Sequence, residues 1–407
     1  MKVSPDGRST DRVRPLSHSW DEEEVRVAIA LLAASRLTRR QIAERLGLSK
    51  TKANAIVANL LASGVVAPDA AGDTNRGRKP NVLRLHQDLG YGVGVDLGPT
   101  DVRIVLGDSL GRSVAEDFQI IDMRRGPVYV LATIASTIKA MLDRAVPKLP
   151  LVGVAMGVPG PVDFVAGMPI SSPITPGWDR FPVRDHLAEL LGCDVVVDND
   201  VNVMLVGEAW RRPELSNSIF VKVGTGIGAA IMCNGILFRG VNGYAGDIGH
   251  ILVDEHGPAC RCGSSGCLEA LAGGAALARE AETLAQQDPA CCLAARAKTG
   301  GPLTAEDVGW CAHSGDITAV ALVQQAGRHL GRVLAALVNF YNPSHIILGG
   351  GVSKLGHLYL AAVRREVFAH SLSLHSRELA IESSQLGDSA GVQGGVVLAW
   401  TLHLGGK

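Results

Sequence analysis

The sequence predicts an α/β body carried behind an N-terminal winged helix-turn-helix. Within residues 25–85, apolar residues first recur at helical spacing and then give way to short strand-like runs. From Tyr91 onward, apolar strands ending in Asp or Gly alternate with helical stretches. The composition, 47% hydrophobic and 4% aromatic with 48 glycines in 407 residues, suits a glycine-rich globular chain of two or three domains and argues against disorder.

Residues 1–20 are polar and read as a disordered lead. Residues 21–86 form the first domain. A helix begins after Asp21 and carries Val25, Ile29 and Leu32 on one face. Thr38-Arg-Arg-Gln41 is a capping-box pattern that opens a short helix with Ile42, Ala43 and Leu46, ended by Gly47. Ser49 caps the next helix, Lys50 to about Ser63, whose inner face is Ala53, Ile56, Val57 and Leu60. Val65-Val66 and Val82–Leu85 are the wing strands, joined by a basic loop containing Arg76, Arg78 and Lys79. In this arrangement the second capped helix enters the major groove. Ser49, Lys50, Thr51 and Lys52 then reach phosphates with Arg78 of the wing, and Asn54 is placed to pair with adenine. A small helical bundle used for subunit contacts is the plainer alternative.

Charge agrees with a polyanion at this end. Residues 1–90 hold 15 Lys and Arg against 10 Asp and Glu, or +5, which leaves 24 against 30, or −6, for the rest. The first residues lack the apolar run of a secretory signal, and no stretch is long and apolar enough for a membrane span. Eight cysteines in 407 residues are no disulfide scaffold, so a reduced, cytoplasmic protein is expected.

In the body, Tyr91–Gly98 and Val102–Leu106 form a hairpin through the turn Gly98–Asp101. A helix around Val128–Val146, the strand Leu151–Met156 and the strand Val195–Val197 follow, the last ending at Asp198-Asn199-Asp200. Ser218–Val223 and Gly228–Cys233 pair across Gly224-Thr225-Gly226, and His345–Leu348 runs into Gly349-Gly350-Gly351. Three glycine turns at strand ends suit backbone amides aimed at phosphates, the mark of an ancestral nucleotide cleft.

Cys260, Cys262 and Cys267 crowd into a loop with spacing C-x-C-x4-C. Loop thiols so placed converge on one structural Zn2+, which takes four ligands. His250 and His256 are the candidate fourth ligands; His250 precedes an expected strand, Ile251–Val253. Surface thiols or a disulfide within the cluster are the competing readings. Cys193, Cys233, Cys291, Cys292 and Cys311 are scattered and read as buried small residues or incidental thiols. A closed metal site does no chemistry itself; it fixes the polar residues beside it, Asp247, His250 and Glu269.

Over essentially its whole length the chain resembles the ROK family of repressors, open reading frames and sugar kinases. The resemblance rests on Gly246-Asp-Ile-Gly-His250 followed by Cys260-x-Cys262-Gly-x-x-Gly-Cys267-x-Glu269. Supporting motifs are Asp96-Leu-Gly98-Pro-Thr100, Pro159-Gly160-Pro161, Asn199-Asp200-x-Asn202, Gly224-Thr225-Gly226-Ile-Gly228 and Asn342-Pro343. It implies a two-lobed actin-like ATPase body, of ribonuclease-H-like type. Lobe 1 would span 87–200, completed by about 390–407, and lobe 2, with the zinc site, 201–389. It implies zinc on His250, Cys260, Cys262 and Cys267, and a sugar held by Asn199, Asp200, Asp247, His250 and Glu269. In a kinase of the family, Asp200 would be the catalytic base. Asp96, Gly98, Thr100, Gly224, Thr225, Gly226, Gly349 and Gly350 would line the nucleotide site, here expected to be vestigial.

Departures from the kinase pattern support that expectation. Pro99 stands where kinases usually have a second glycine, removing an amide donor. Ala229 and Ala230 follow Gly228 where kinases tend to keep glycines, and their methyls would crowd a nucleotide. Asp247 replaces the usual Glu, shortening its reach by about 1.5 Å. The winged helix places the chain among the family's repressors. The expected protein is therefore a sugar-responsive regulator of carbohydrate genes, with structural Zn2+ and no Mg-ATP. It is expected to bind an inverted-repeat operator as a homodimer or homotetramer. The alternative is an ATP-dependent hexose kinase with an appended DNA-binding domain.

Overall fold

The computed structural model describes residues 20–69, 82–170 and 177–405. The lead up to residue 19 and the basic wing loop with Arg78 lie outside the described residues. Helix α1 (Glu22–Ala34) is capped by Asp21, whose Oδ1 accepts the Glu23 and Glu24 N–H groups. After the two-residue strand β1 (Leu37–Thr38), the Thr38 capping box starts α2 (Arg39–Leu46). The Gln41 N–H donates to Thr38 Oγ1, and the Thr38 N–H donates back to Gln41 Oε1. Gly47, left-handed at φ 67°, ends α2, and Ser49 Oγ caps α3 (Lys50–Ala62) through the Lys52 N–H. Strands β2 (Val66–Pro68) and β3 (Val82–Leu85) form the wing; β1 joins them in the order β1-β3-β2. Trp20, assigned to the lead from sequence, packs against this domain's core.

The first body sheet is built from β4 (Tyr91–Leu97), β5 (Asp101–Gly107) and β6 (Ser113–Ile120), then β7 (Leu151–Val158) and, after the short pair β8 (Val162–Asp163) and β9 (Met168–Pro169), β10 (Val195–Asn199). Its order is β10-β7-β4-β5-β6, parallel from β10 to β4 and antiparallel beyond. Helices α4 (Pro127–Arg144) and α5 (Val183–Leu191) share a core with this sheet. Helix α6 (Asp200–Ala209) springs directly from the end of β10.

The second sheet holds β11 (Ser218–Val223), β12 (Ile227–Cys233), β13 (Ile236–Phe238), β14 (His345–Gly349) and β15 (Ala380–Ser383), ordered β13-β12-β11-β14-β15. Helices α7 (Leu268–Ala272), α8 (Gly274–Gln287), α9 (Cys292–Gly300), α10 (Ala305–His313), α11 (Ile317–Tyr341), α12 (His357–His370) and α13 (Ser373–Ser376) complete this half. Two expectations fail here. Ile251–Val253 makes no strand: Leu252 forms only an isolated bridge to Cys267, because the loop turns back to meet its own cysteines. Cys292 and Cys311 are not incidental thiols but a disulfide joining the start of α9 to α10; packing of the two helices brings together cysteines 19 residues apart.

The chain ends in α14 (Ala390–His403), which returns to lie on β4, β5 and β7 and crosses α6. The crossing is made by glycines. A Cβ on Gly394 would stand 1.8 Å from the Val203 carbonyl oxygen, and one on Gly207 would stand 2.2 Å from that of Ala390. On the other side of α14, Val392, Val396, Trp400 and Leu404 enter the same core as Val27, Leu31 and Leu85 of the winged domain. The DNA-binding domain is therefore continuous in packing with the body. Gly394→Ala should destabilise the protein by about 3 kcal/mol or more, since the clash is with backbone that has nowhere to move; urea unfolding measures it, and a loss under about 1 kcal/mol would refute the close crossing.

Candidate functional site

The loop after Gly246 assembles a ligand set. Side-chain donor atoms of His250, Cys260, Cys262 and Cys267 all lie within 4.8 Å of one another. Cys260 Sγ is 3.6 Å from His250 Nδ1, and Cys262 Sγ is 3.7 Å from Cys267 Sγ. Zinc–sulfur bonds of about 2.3 Å would set two sulfurs of a tetrahedron about 3.8 Å apart, so the spacing fits Zn2+. It also excludes a disulfide within the cluster, whose three cysteines are free. His256 stands aside: it is exposed and its N–H donates to Asp254 Oδ1. Backbone bonds pin the loop, Cys260 N–H to the Ser264 carbonyl and Gly266 N–H to that of Pro258. Gly266 is obligatory, since a Cβ there would lie 1.6 Å from the Asp254 carbonyl oxygen. Burial and the neighbouring thiols raise the Cys267 thiol to about 12, while a backbone bond from Ser264 helps lower that of Cys262.

The same loop sets out polar groups. His250 turns Nδ1 toward the thiols and leaves Nε2 3.9 Å from Asp247 Oδ1; both residues are exposed. Glu269, in the first turn of α7, accepts the Ile227 N–H at 3.0 Å. Gly226 leaves it room, because a Cβ there would meet Glu269 Oε2 at 2.2 Å. Asn199 caps α6 through the Val201 and Asn202 N–H groups and donates from Nδ2 to the Gly160 carbonyl. Asp200 is buried beside it, its Oδ2 2.5 Å from Lys222 Nζ. The five residues thus sit on one start of helix α6, one loop behind β12 and the start of α7.

Three residues escaped the sequence reading. Buried Asp198 accepts from the Asn199 N–H at 2.7 Å and from Asn202 Nδ2 at 2.8 Å, and pairs with Arg239 Nε at 2.8 Å. Arg239 follows β13, so this pair ties the two sheets together at the cleft. Lys222 is the third: a lone cation in the otherwise apolar run Ser218–Val223 was its signal.

Of the residues expected at a nucleotide site, Asp96 is the penultimate residue of β4, and the Gly98 N–H donates to the Asp101 carbonyl to close the first turn, with Thr100 exposed. Gly224 closes the second turn by donating to the Gly226 carbonyl, with Thr225 at its exposed tip. Gly350, at φ 84°, ends β14 against Val223, while Gly349 packs on Phe220. The methyls of Ala229 and Ala230 do not crowd a nucleotide: each is buried in a packed core. Burial raises the Asp96 carboxyl to about 6; Lys222 opposes the rise, and Asp200 and Asp101 add to it.

On the winged domain, Ser49, Lys50, Thr51, Lys52 and Asn54 are all exposed at the start of α3, and Lys52 also pairs with Glu23 of α1 at 2.6 Å. No helix among the described residues is long and apolar enough to cross a membrane.

A winged helix-turn-helix packed on the first sheet and α14 of a body with two five-stranded sheets defines a DNA-binding domain carried on an actin-like kinase fold. The chain belongs to the ROK family: the family's model matches residues 92–401, and a winged helix-turn-helix DNA-binding model matches residues 29–67. It is 34% identical to a glucokinase of Halalkalibacterium halodurans, over 74% of this chain and 93% of that one. It is 27% identical to the xylose repressor of Bacillus subtilis, over 88% and 90%, and 27% identical to the dual regulator NagC of Escherichia coli, over 86% and 85%. In fold it is similar to a ROK family transcriptional regulator, a homolog of the E. coli MLC protein, with a TM-score of 0.80, 23% identity and coverage of 94% and 97%. A Streptomyces griseus ROK glucokinase solved with glucose and AMPPNP gives a TM-score of 0.66 at 29% identity, covering 76% of this chain and 99% of that one.

Two outcomes are expected. If the cluster holds zinc, Cys262→Ser should abolish stoichiometric zinc, read by plasma mass spectrometry, and lower the melting temperature by several degrees; zinc retained at an unchanged melting temperature would remove Cys262 from the ligand set, and a wild type without stoichiometric zinc would remove the metal site. The Asp96 carboxyl holds its proton more tightly folded than unfolded, so its contribution to stability is full below about pH 4 and lost as pH rises toward about 6. Asp96→Asn should therefore gain roughly 2–3 kcal/mol relative to the wild type across that window in urea unfolding.

Proposed function

We propose that this protein is a sugar-responsive transcriptional repressor of carbohydrate-metabolism genes. The observation that carries the reading is the junction of two parts: a winged helix-turn-helix with an exposed recognition-helix start, and a ROK body whose acids, amide and imidazole at the start of α6, the cysteine loop and α7 are joined to it through α6 and α14. The xylose repressor and NagC relatives, which span both parts, support it.

Asn199, Asp200, Asp247, His250 and Glu269 hold the sugar. Each sugar hydroxyl donates and accepts, and carboxylates, an amide and an imidazole satisfy such groups in pairs. His250, Cys260, Cys262 and Cys267 hold Zn2+, which when bound supplies no chemistry beyond fixing the loop. His250 would serve both: Nδ1, which faces the Cys260 thiol, would hold the metal, and Nε2 is left for Asp247 and the sugar. Ser49, Lys50, Thr51, Lys52 and the wing's Arg78 meet phosphates, and Asn54 reads a base. Two copies, or a pair of dimers, place recognition helices on an inverted repeat about one helical turn apart. The sugar acts as an effector by binding one arrangement of the two sheets better than the other. Such a regulator works in the cytoplasm.

A kinase reading is favoured by one observation, the retention of Asp200 at the start of α6. Mg2+-ATP with a sugar panel tests it; turnover on the order of 1 per second would make the protein an enzyme. The repressor reading is tested by melting the zinc-loaded protein with the same panel and assaying operator fragments with the sugar that shifts it. Asn54→Ala should weaken operator binding by about tenfold or more while leaving the sugar shift intact. Glu269→Gln, which keeps an acceptor for the Ile227 N–H, should do the reverse, weakening sugar binding by about tenfold and leaving operator affinity unchanged. A variant that lost both functions equally would contradict this division.

A further inference from the structure

Lys222 has no part in the sugar contacts above, yet it stands at the centre of the cleft's charge. It lies in β11, two residues before Gly224, and its side chain is only 25% exposed. Its stem runs under the second glycine turn, with Cε 3.8 Å from where a Gly224 Cβ would stand. The ammonium meets Asp200 Oδ2 at 2.5 Å, and the other oxygen of Asp200 accepts the Val201 N–H at 2.9 Å. Burial alone would lower the Lys222 pKa, but attraction from Asp200, Asp96 and Asp101 outweighs it and the ammonium stays charged. Arg103 of β5 also favours the charged form of Asp96, while its own ion pair is with Asp388 at 3.8 Å.

Carboxylates converging from the ends of β4, the first glycine turn and the start of α6 are the oxygen donors a hard divalent cation takes. A nucleotide in this fold arrives as a magnesium complex. The residues present do not fit one. Both oxygens of Asp200 are committed, and a fixed positive charge stands where the metal's charge would go. Pro99 also leaves the first turn without one of its amide donors.

We propose that Lys222 is the resident cation of this cleft, taking the place of the divalent ion and holding Asp200 as a charged acceptor. The ammonium neutralises the converging acids, so the two halves of the cleft approach one another without metal or nucleotide. Asp200 so held accepts a ligand hydroxyl's proton in a hydrogen bond and does not remove it. This last consequence rests on the sugar reading; the charge replacement does not.

The test is Mn2+ binding to the full-length, zinc-loaded protein, followed by electron paramagnetic resonance of free Mn2+. The proteins are the wild type, Asp96→Asn, Lys222→Ala, Lys222→Met and Lys222→Ala with Asp96→Asn. The wild type should show no Mn2+ site that Asp96→Asn removes. Lys222→Ala, or Lys222→Met if the shorter side chain unfolds the protein, should bind Mn2+ about tenfold or more tightly than the wild type, and the added Asp96→Asn should reverse the gain. A stoichiometric wild-type site lost in Asp96→Asn overturns the proposal, and this arm needs no Lys222 variant to fold. A folded Lys222 variant with no gain overturns it too. None of these readings uses a sugar, so failure of the effector reading leaves them standing and is seen separately, in the melting experiment.

Discussion

Helices α6 and α14 cross at a distance only glycine permits, and most of the molecule's organisation follows from that contact. Gly207 on one helix and Gly394 on the other each face a backbone carbonyl of the partner at under 2.5 Å from a would-be Cβ. Backbone packed on backbone leaves no flexible side chain to absorb a displacement. The far side of α14 is fixed in the same manner, with Gly94 of β4 set against the Val392 carbonyl. The C-terminal helix is thus clamped between the first sheet and α6. Trp400, set against Gly92 of β4, and Leu404 just beyond the helix also supply part of the winged domain's own core.

Two of the proposed sugar-holding residues lie at the other end of α6. Asn199 and Asp200 form its first turn, and Asp198 just before it reaches Arg239 beyond β13. The pair Asp198–Arg239 is nearly desolvated on the acid side, and Asp198 has both oxygens satisfied, the condition under which a buried carboxylate is tolerated. A ligand that draws Glu269 and His250 toward Asn199 and Asp200 would press on the start of a helix whose middle is locked to α14.

Local rules made much of this readable from sequence. The Thr38 and Ser49 caps, Gly47 and the glycine turns all depend on residues a few positions apart, and each stands where the pattern put it. The cysteine spacing pointed to the cluster of ligand atoms for the same reason. What failed depended on tertiary packing. Spacing could not choose between His250 and His256, because the choice turns on how the loop folds back at Gly266. Cys292 and Cys311 are joined only because α9 and α10 pack together. Ala229 and Ala230 point into cores rather than the cleft, a matter of which face of β12 each occupies. Lys222 was visible as a lone charge in an apolar strand, but its meaning required the carboxylates that the fold brings to it. The resemblance to a known family supplied the kinase-fold body, which residue patterns alone left open, and the proposed sugar ligands.

A switch of this kind needs only a modest difference in binding. Effector coupling of about 1–3 kcal/mol changes affinity by roughly 5–150-fold. A soft joint between cleft and winged domain would dissipate so small a term in local rearrangement. The glycine crossing and the shared core instead make α6, α14 and the DNA-binding helices one packed body, so a change in how the sheets close must appear as a change in where α3 points. The charge in the cleft serves the same end. On the proposal that Lys222 opposes the acids, closure would not wait on nucleotide or metal, and a bound sugar would alone set the balance between two arrangements.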